Sequence, residues 1–243
     1  MKMLTLARRN SKEILRDPLN LGFGLGFPLV LILLLSAIQA SVPVPLFEIQ
    51  TLTPGVAVFG LAFITLFSAT VISKDRASAL LERLYTAPIS AWDFILSYTL
   101  PMLPIALGQS AFCYLTAVVL GLEMSINILW ALLLSLPVSV MFVALGLLFG
   151  SILNDKQVGG ICGALLTNLT AWLSGAWFDL KLVGGAFETV ANLLPFVHGV
   201  EMQRAALLGD ISGVWPHLWW VLGYAVLSGL SAVLLFLRQM KKR

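Results

Sequence analysis

Charged residues are scarce in this chain. Of 243 residues, 15 are Lys or Arg and 12 are Asp or Glu, whereas 59% are hydrophobic and the mean hydropathy is +0.94. A water-soluble domain has no use for apolar surface on every side of its helices, but lipid solvates such surface without cost. The composition therefore excludes a soluble domain and predicts a single all-α integral membrane domain over residues 1–243.

Side chains that carry out chemistry are also few. The two cysteines, Cys113 and Cys162, fall in predicted spans and show neither metal-ligand spacing nor a disulfide pattern. No cluster of His, Cys and carboxylates has the spacing of a metal site, and no serine lies in a nucleophile elbow. The GxxxxGK[ST] phosphate loop is missing, as is any Gly-Lys dipeptide. We therefore expect no catalysis, no metal and no ATP site on this chain.

The centres of the predicted spans lack Asp, Glu, Lys and Arg. Carriers that couple transport to protons or sodium usually need buried ionisable groups or broken helices at the bilayer midplane. We therefore expect the driving force to come from another protein.

The apolar runs predict six transmembrane helices, because each is long enough to cross a hydrocarbon core of about 30 Å at about 1.5 Å per residue. Their ranges are Leu19–Ala40, Gly55–Ser73, Ala91–Leu120, Ile128–Leu153, Val158–Trp177 and Trp215–Leu237. We expect Pro54 to open the second span at its first turn. The third should begin with a short amphipathic lead and kink near Pro101 and Pro104.

Two regions beside the spans read as helices that do not cross. Residues 1–18 place Leu4, Ala7, Ser11 and Leu15 on one stripe among basic residues, which predicts an interfacial helix, with a frayed basic tail as the alternative. Residues 178–216 hold two apolar pieces, Leu182–Leu193 and Val197–Leu208, separated by Pro195. At about 18 Å each is too short to span, which predicts a broken, re-entrant outer pair of helices.

Residues 74–90 carry three bases and two acids between two apolar runs. Such a segment must lie outside the hydrocarbon, so we expect a cytoplasmic helix that docks a soluble partner. All but two of the 15 bases, Lys181 and Arg204, fall in this segment, in residues 154–157 or near the termini. The positive-inside rule therefore predicts that these regions and both termini are cytoplasmic.

A few side chains in the spans are candidates for a substrate pathway. They are an aromatic stripe and a group of polar residues in the fifth span: Phe59, Phe63, Phe67, Thr167, Asn168 and Thr170. Their aliphatic setting favours an amphiphilic or hydrophobic substrate. The alternative for the aromatic stripe is plain packing or contact with lipid.

Taken in order, the sequence resembles the membrane subunits of type 2 ABC exporters. The resemblance rests on Arg16-Asp17-Pro18 after a basic helix, Leu81-Glu82-Arg83-Leu84 before Pro88-Ile89-Ser90, six spans, and Leu194-Pro195 before the last span. It covers nearly the whole chain. Where the family usually has Gly-Thr before the Leu-Glu, this chain has Ala79-Leu80.

The resemblance implies a coupling helix seated in a groove of an ATPase. The implied contact residues are Asp75, Arg76, Leu81, Glu82, Arg83, Leu84 and Tyr85. It also implies two copies of the ATPase subunit, which would hold ATP and Mg, and a second membrane subunit, expected to form a homodimer in the plasma membrane. The helical pair at Pro195 would close the pathway on the outside, with His198, Glu201 and Arg204 as gate residues.

The function expected from this resemblance is export of a drug, an antibiotic or a lipid-like molecule. Three alternatives remain: a glycan exporter of the same class, an ATPase-independent six-helix carrier, and a non-transporting subunit that recruits a partner. For His198 beside the pair Glu201 and Arg204, a structural interface is the alternative to gating.

Overall fold

The computed structural model describes residues 2–42, 44–78 and 90–241, and this part of the chain is helical with short connections and no strand. The helices are α1 (Lys2–Leu15), α2 (18–41), α3 (Ile49–Ala77), α4 (Ala91–Val119), α5 (Ile126–Ile152), α6 (155–173), α7 (Leu180–Val183), α8 (Gly185–Leu193), α9 (Pro195–Leu208) and α10 (Ile211–Lys241). The predicted all-α fold is confirmed for these residues.

Within the described residues, five helices are long and apolar enough to cross a bilayer. They are Gly22–Ser41, Ile49–Ala77, Trp92–Val119, Ile126–Ile152 and Ile211–Leu235. The region predicted as the remaining span forms α6, but its first part, Gly159–Leu166, has π-helical geometry, and α6 is not among the five. A sixth crossing therefore stays a prediction.

Two helix boundaries differ from those predicted. The prediction that Pro54 opens the second span is wrong, because α3 begins at Ile49 and Pro54 lies buried inside it. The predicted lead of the third span forms the first turns of one continuous helix, α4. Its start is fixed by a capping box in which Ser90 Oγ accepts from Asp93 N at 3.0 Å and Ser90 N donates to Asp93 Oδ2 at 3.2 Å.

Helix α3 lies at the centre of the bundle. Of its most apolar 18-residue window, 83% is buried, against 17% for α2 and 22% for α10. It packs closely on α5, since a Cβ added to Gly150 would lie 2.7 Å from Ala69 O. Thr65 Oγ1 also donates to Phe142 O at 2.9 Å across this contact. The small residues Gly146 and Gly150 thus allow the two backbones to approach.

Polar contacts mark the two ends of the bundle. At one end, which we call the basic end, Arg76 donates to Ser151 O at 2.5 Å and to Leu153 O, and Ser73 Oγ donates to Asp155 Oδ1 at 3.3 Å. At the other end, which we call the opposite end, Asn127 Nδ2 donates to Leu207 O at 3.1 Å. The regions around 74–78 and 154–157 therefore meet at one end, as the predicted topology requires.

The two regions predicted not to cross are helical. α1 is packed on the bundle through Ala7, Asn10 and Ile14, whereas Leu4 and Leu15 of the predicted stripe are exposed. The face of α1 that contacts the bundle is thus set by its packing against α4. α8 and α9 are separated at Leu194-Pro195, where the proline takes the first helical position of α9. That break agrees with the prediction, while the positions of both regions relative to a membrane stay predictions.

Candidate functional site

An open groove runs between α2, α3 and α6 and encloses a cavity of about 460 Å³. Its lining residues are Phe23, Phe27, Leu31, Leu35, Phe59, Phe63, Thr167, Asn168, Ala171 and Trp177. We call it the aromatic groove. Its described lining contains no charged side chain, so it suits an apolar or amphiphilic molecule more than an ion.

Four aromatic rings form the main wall of the aromatic groove. Phe59 and Phe63 stand one helical turn apart on α3, with ring centroids 5.8 Å apart and planes at 86°. Phe27 of α2 lies 6.0 Å from Phe59, and Trp177 lies 5.3 Å from Phe59 at 75°. Tilted and edge-to-face packing is the favoured geometry for such rings, and it fixes their positions. The rings therefore form a preformed apolar surface.

The polar part of the aromatic groove comes from α6. Thr167 is nearly buried and donates to Cys162 O at 3.1 Å, whereas Asn168 is exposed and its Nδ2 donates to Ala164 O at 2.8 Å. Both side chains bond their own helix, so the chain satisfies part of their hydrogen-bonding capacity locally. Asn168 still presents an amide to whatever occupies the groove.

Four of the six residues predicted for the pathway line this groove, and two do not. Phe59, Phe63, Thr167 and Asn168 lie on its wall. Phe67 is buried toward the basic end, among residues that include Ile14 and Val71, and Thr170 is fully buried and donates to Leu166 O at 2.9 Å. Phe67 lies on the same face of α3 as Phe63, one turn closer to the basic end, where Ile14 of α1 covers that face.

Sequence reasoning missed Phe23, Phe27 and Trp177 on the groove wall. The sequence offered one signal, the glycine-rich stretch Gly22-Phe-Gly-Leu-Gly26. In the structure this stretch is π-helical and holds Phe23 against the groove. The other π-helical stretch, Gly159–Leu166, ends directly before Thr167. π turns inside α-helices are rare and are frequent at functional sites, and here both border one groove.

The predicted gate residues meet at the opposite end. The Arg204 guanidinium donates to Glu201 Oε1 at 2.8 Å, to Thr51 O at 3.2 Å and to Gly175 O at 3.0 Å. One side chain thus ties α9 to the first turn of α3 and to the connection after α6. Pro195, at the start of α9, sets the direction in which that helix leaves the break.

The two histidines of the chain contact each other, and sequence reasoning named only His198. His198 Nε2 lies 2.9 Å from Asn192 O, and the Nδ1 atoms of His198 and His217 are 2.9 Å apart. A carbonyl only accepts, so Nε2 of His198 carries the proton, its neutral Nδ1 accepts, and His217 Nδ1 donates. Trp220 stacks on His198 with centroids 4.8 Å apart. Burial lowers the pKa of His198, against the opposing effect of the Asn192 carbonyl.

Two of the residues predicted to contact an ATPase are described, and both make contacts within the chain. Asp75 is buried and lies in an ion pair with Arg9, while Arg76 donates to carbonyls at the end of α5. The other predicted contacts, Leu81, Glu82, Arg83, Leu84 and Tyr85, lie outside the described residues. The structure therefore shows the base of the predicted coupling segment and not its docking face.

Comparisons with known proteins identify the family of this chain. The chain is 24% identical over 168 residues to Nodulation protein J of Rhizobium meliloti (strain 1021), a match that covers 62% of this chain and 64% of that protein. The matched part is thus less than two thirds of the relative's length. The model of a family described as ABC-2 type transporter matches residues 1–208. Because that match covers most of the chain and the described fold is an apolar helical bundle, the chain belongs to the ABC-2 type transporter family as a membrane component.

Proposed function

We propose that this chain is the membrane-spanning subunit of an ATP-driven exporter that moves an amphiphilic or hydrophobic small molecule. The observation that carries the proposal is the aromatic groove, an uncharged cavity of about 460 Å³ with four tilted rings and one exposed amide. Rings bind acyl chains or planar groups by burying apolar area, and the Asn168 amide offers a polar headgroup a hydrogen bond.

The proposed energy source is a separate ABC ATPase. Members of this family normally act with such a protein, and this chain lacks a phosphate loop of its own. In the proposal, the cytoplasmic coupling helix lies within residues 74–90, with Glu82 and Arg83 among its contacts. Two ATPase subunits hold ATP and Mg, and two membrane subunits form a homodimer in the plasma membrane.

The proposed outer gate is the group around α9. Arg204 joins three separate parts of the chain, and His198 is held by His217, Asn192 and Trp220. Opening a path on this side requires these contacts of Arg204 and His198 to break. The contacts therefore define the closed state of the gate.

A glycan exporter of the same class is the second candidate. Aromatic rings also stack on sugar faces, so the rings of the groove do not decide between the two. Glycans need many hydrogen-bonding groups, and Thr167 and Asn168 are the polar side chains among the described lining. This lining favours the amphiphile.

The test uses the chain purified with the ATPase that copurifies with it, reconstituted in liposomes with a fluorescent short-chain phospholipid or a fluorescent oligosaccharide. We expect ATP-dependent movement of the phospholipid and its loss in Phe63→Ala, because truncation removes a ring from the wall. Phe112→Ala is the matched control, since Phe112 is 53% exposed and lies on α4 away from the groove.

Each outcome of this test has a clear meaning. Movement of the oligosaccharide alone would show that the substrate is a glycan and not an amphiphile. Movement of either probe by the chain without any ATPase would establish an independent carrier. ATPase binding with no movement of either probe would favour the non-transporting subunit.

A further inference from the structure

A carboxylate is fully buried at the basic end. Asp75 lies in the last turn of α3, and its side chain is 1% exposed. Arg9 of α1 binds it with two nitrogens, Nη1 at 2.6 Å from Oδ2 and Nη2 at 2.5 Å from Oδ1. Tyr98 of α4 donates its hydroxyl to the same Oδ2 at 2.6 Å. We call Arg9, Asp75 and Tyr98 the Asp75 cluster. It joins α1, α3 and α4 at the two carboxylate oxygens of Asp75.

Neighbouring contacts strengthen the attachment of α1. Arg9 also lies 2.6 Å from Glu13 Oε2, and its Nη1 donates to Asn10 Oδ1 at 2.9 Å. The buried Asn10 in turn donates Nδ2 to Ser97 O at 3.1 Å, which is one residue before Tyr98. The rotation of α1 about its axis is thus fixed by directional hydrogen bonds rather than by apolar contact alone.

The location of the Asp75 cluster relative to the chain indicates its role. Asp75 stands just before residues 78–90, and Tyr98 stands about two turns into the helix that follows them. The cluster therefore holds together both helices that flank this segment and adds α1 to them. A helix that only lies on a membrane surface needs amphipathic character and no ion pair to a buried carboxylate.

We propose that the Asp75 cluster is a positioning site that makes α1 and the flanks of residues 78–90 move as one rigid unit when the ATPase acts on that segment. This inference rests on the proposed function for the role of the ATPase. Burying a carboxylate is costly unless its partner is held in place, so separating α1 from Asp75 is opposed in every state of the cycle. Arg9, Asp75 and Tyr98 are then positioning residues and contact neither nucleotide nor substrate.

The geometry is tested without any ATPase. Spin labels are placed at Leu4→Cys and Trp92→Cys, which are 63% and 70% exposed in the native chain, with Cys113 and Cys162 replaced by Ala. In nanodiscs we expect a narrow distance distribution that broadens in Asp75→Asn and stays narrow in Arg8→Gln. Arg8 is the matched control because it is an exposed base next to Arg9 on the same helix. An unchanged distribution in Asp75→Asn would overturn the inference.

Coupling is then measured with the copurified ATPase in liposomes. We expect Arg9→Gln and Asp75→Asn to retain the ATPase but to move at least about fivefold less phospholipid per ATP hydrolysed. Arg9→Lys should restore part of the coupling because it keeps the charge. Tyr98→Phe, which leaves the ion pair in place, replaces Asp75→Asn if that variant does not fold, and should show a smaller loss.

The two measurements separate the possible failures. If the native chain binds no ATPase, the proposed function fails, while the spin-label result still decides whether the cluster positions α1. If the ATPase binds and Arg9→Gln transports with native coupling, the positioning role is wrong and the proposed function stands.

Discussion

At the scale of single residues, the His198–His217 pair makes stability depend on pH. His198 is buried, and this lowers its pKa from the ordinary value of 6.5. The unfolded chain therefore binds more protons than the folded chain as the pH falls below about 6.5. The stabilisation from the neutral pair is present above that pH and is lost as the pH falls through the lowered folded-state pKa.

The first prediction is that the protein becomes less stable as the pH falls. Between about pH 8 and pH 5, the thermal unfolding midpoint of the purified protein should fall, because a proton on His198 Nδ1 would face the N–H of His217. His198→Gln should show a lower midpoint at high pH and a shallower fall. Parallel curves for the native chain and this variant would show that the pair does not contribute.

The second prediction concerns Arg204, whose side chain is 13% exposed. Arg204→Lys keeps the charge, but a single ammonium cannot reproduce the fork that reaches Glu201, Thr51 O and Gly175 O together. We expect a loss of about 1.5–3 kcal/mol in the free energy of unfolding, measured by denaturant titration in detergent. Lys181→Ala is the control, since it removes an exposed base near the same end and should change stability little.

At the scale of helices, the contact between α3 and α5 depends on two glycines. A Cβ on Gly150 would meet Ala69 O at 2.7 Å and Ala69 Cα at 2.9 Å, both of them backbone atoms that cannot turn aside. Gly229 of α10 is different, because no heavy atom lies within 4 Å of the position of its added Cβ. The two sites therefore make a matched pair.

The third prediction is that Gly150→Ala destabilises the bundle, whereas Gly229→Ala leaves it unchanged or slightly more stable. Forcing α3 and α5 apart should cost about 1–3 kcal/mol, which exceeds the gain in helix propensity from alanine of about 1 kcal/mol. Thermal unfolding of the two purified variants measures this difference. Equal midpoints would mean that the helices separate easily.

Local signals and long-range contacts differed in how well the sequence revealed them. The apolar runs predicted six spans, and five of these form helices long and apolar enough to cross a bilayer. Pro195 predicted the break between α8 and α9. Both signals depend on residues that are adjacent in the sequence. Arg9 and Asp75 are 66 positions apart and His198 and His217 are 19 apart, so their pairing depends on how helices pack. The start of α3 was misplaced because a proline in the second turn is tolerated there.

The candidate site shows the same division. Phe59 and Phe63 were found because their spacing of four residues puts them on one face of a helix. Phe67 continues that spacing, yet it points into the core near α1, and Trp177 joins the groove from a connection without periodicity. A periodic stripe identifies a face, whereas the fold decides which part of that face stays open.

At the scale of the whole molecule, the distribution of bases predicts orientation. Lys156 and Lys181 are both exposed lysines, but Lys156 lies at the basic end and Lys181 lies beyond α6. If the basic end is cytoplasmic, these two positions face opposite sides of the membrane. The native Cys113 and Cys162 are buried, so they should react slowly with a maleimide.

The fourth prediction uses this pair. In intact cells, a membrane-impermeant maleimide should label Lys181→Cys and should label Lys156→Cys only after permeabilisation. The chain with its native cysteines alone gives the background. The reverse pattern would place residues 74–90 outside the cell, where no ATP is available, and would remove the basis for an ATP-driven exporter.

The two π-helical stretches set which side chains face the aromatic groove. A π turn closes its hydrogen bond over one residue more than an α turn does. If one such turn took α geometry, every residue on one side of it would shift by one position along the helix. That shift is a rotation of about 100° around the helix axis. Along α6 it would swing Asn168 off the wall, and along α2 it would do the same to Phe27, while the backbone ladders on either side stay bonded. The π-helical register of α2 and α6 is thus what places Phe27 and Asn168 on the wall of the groove.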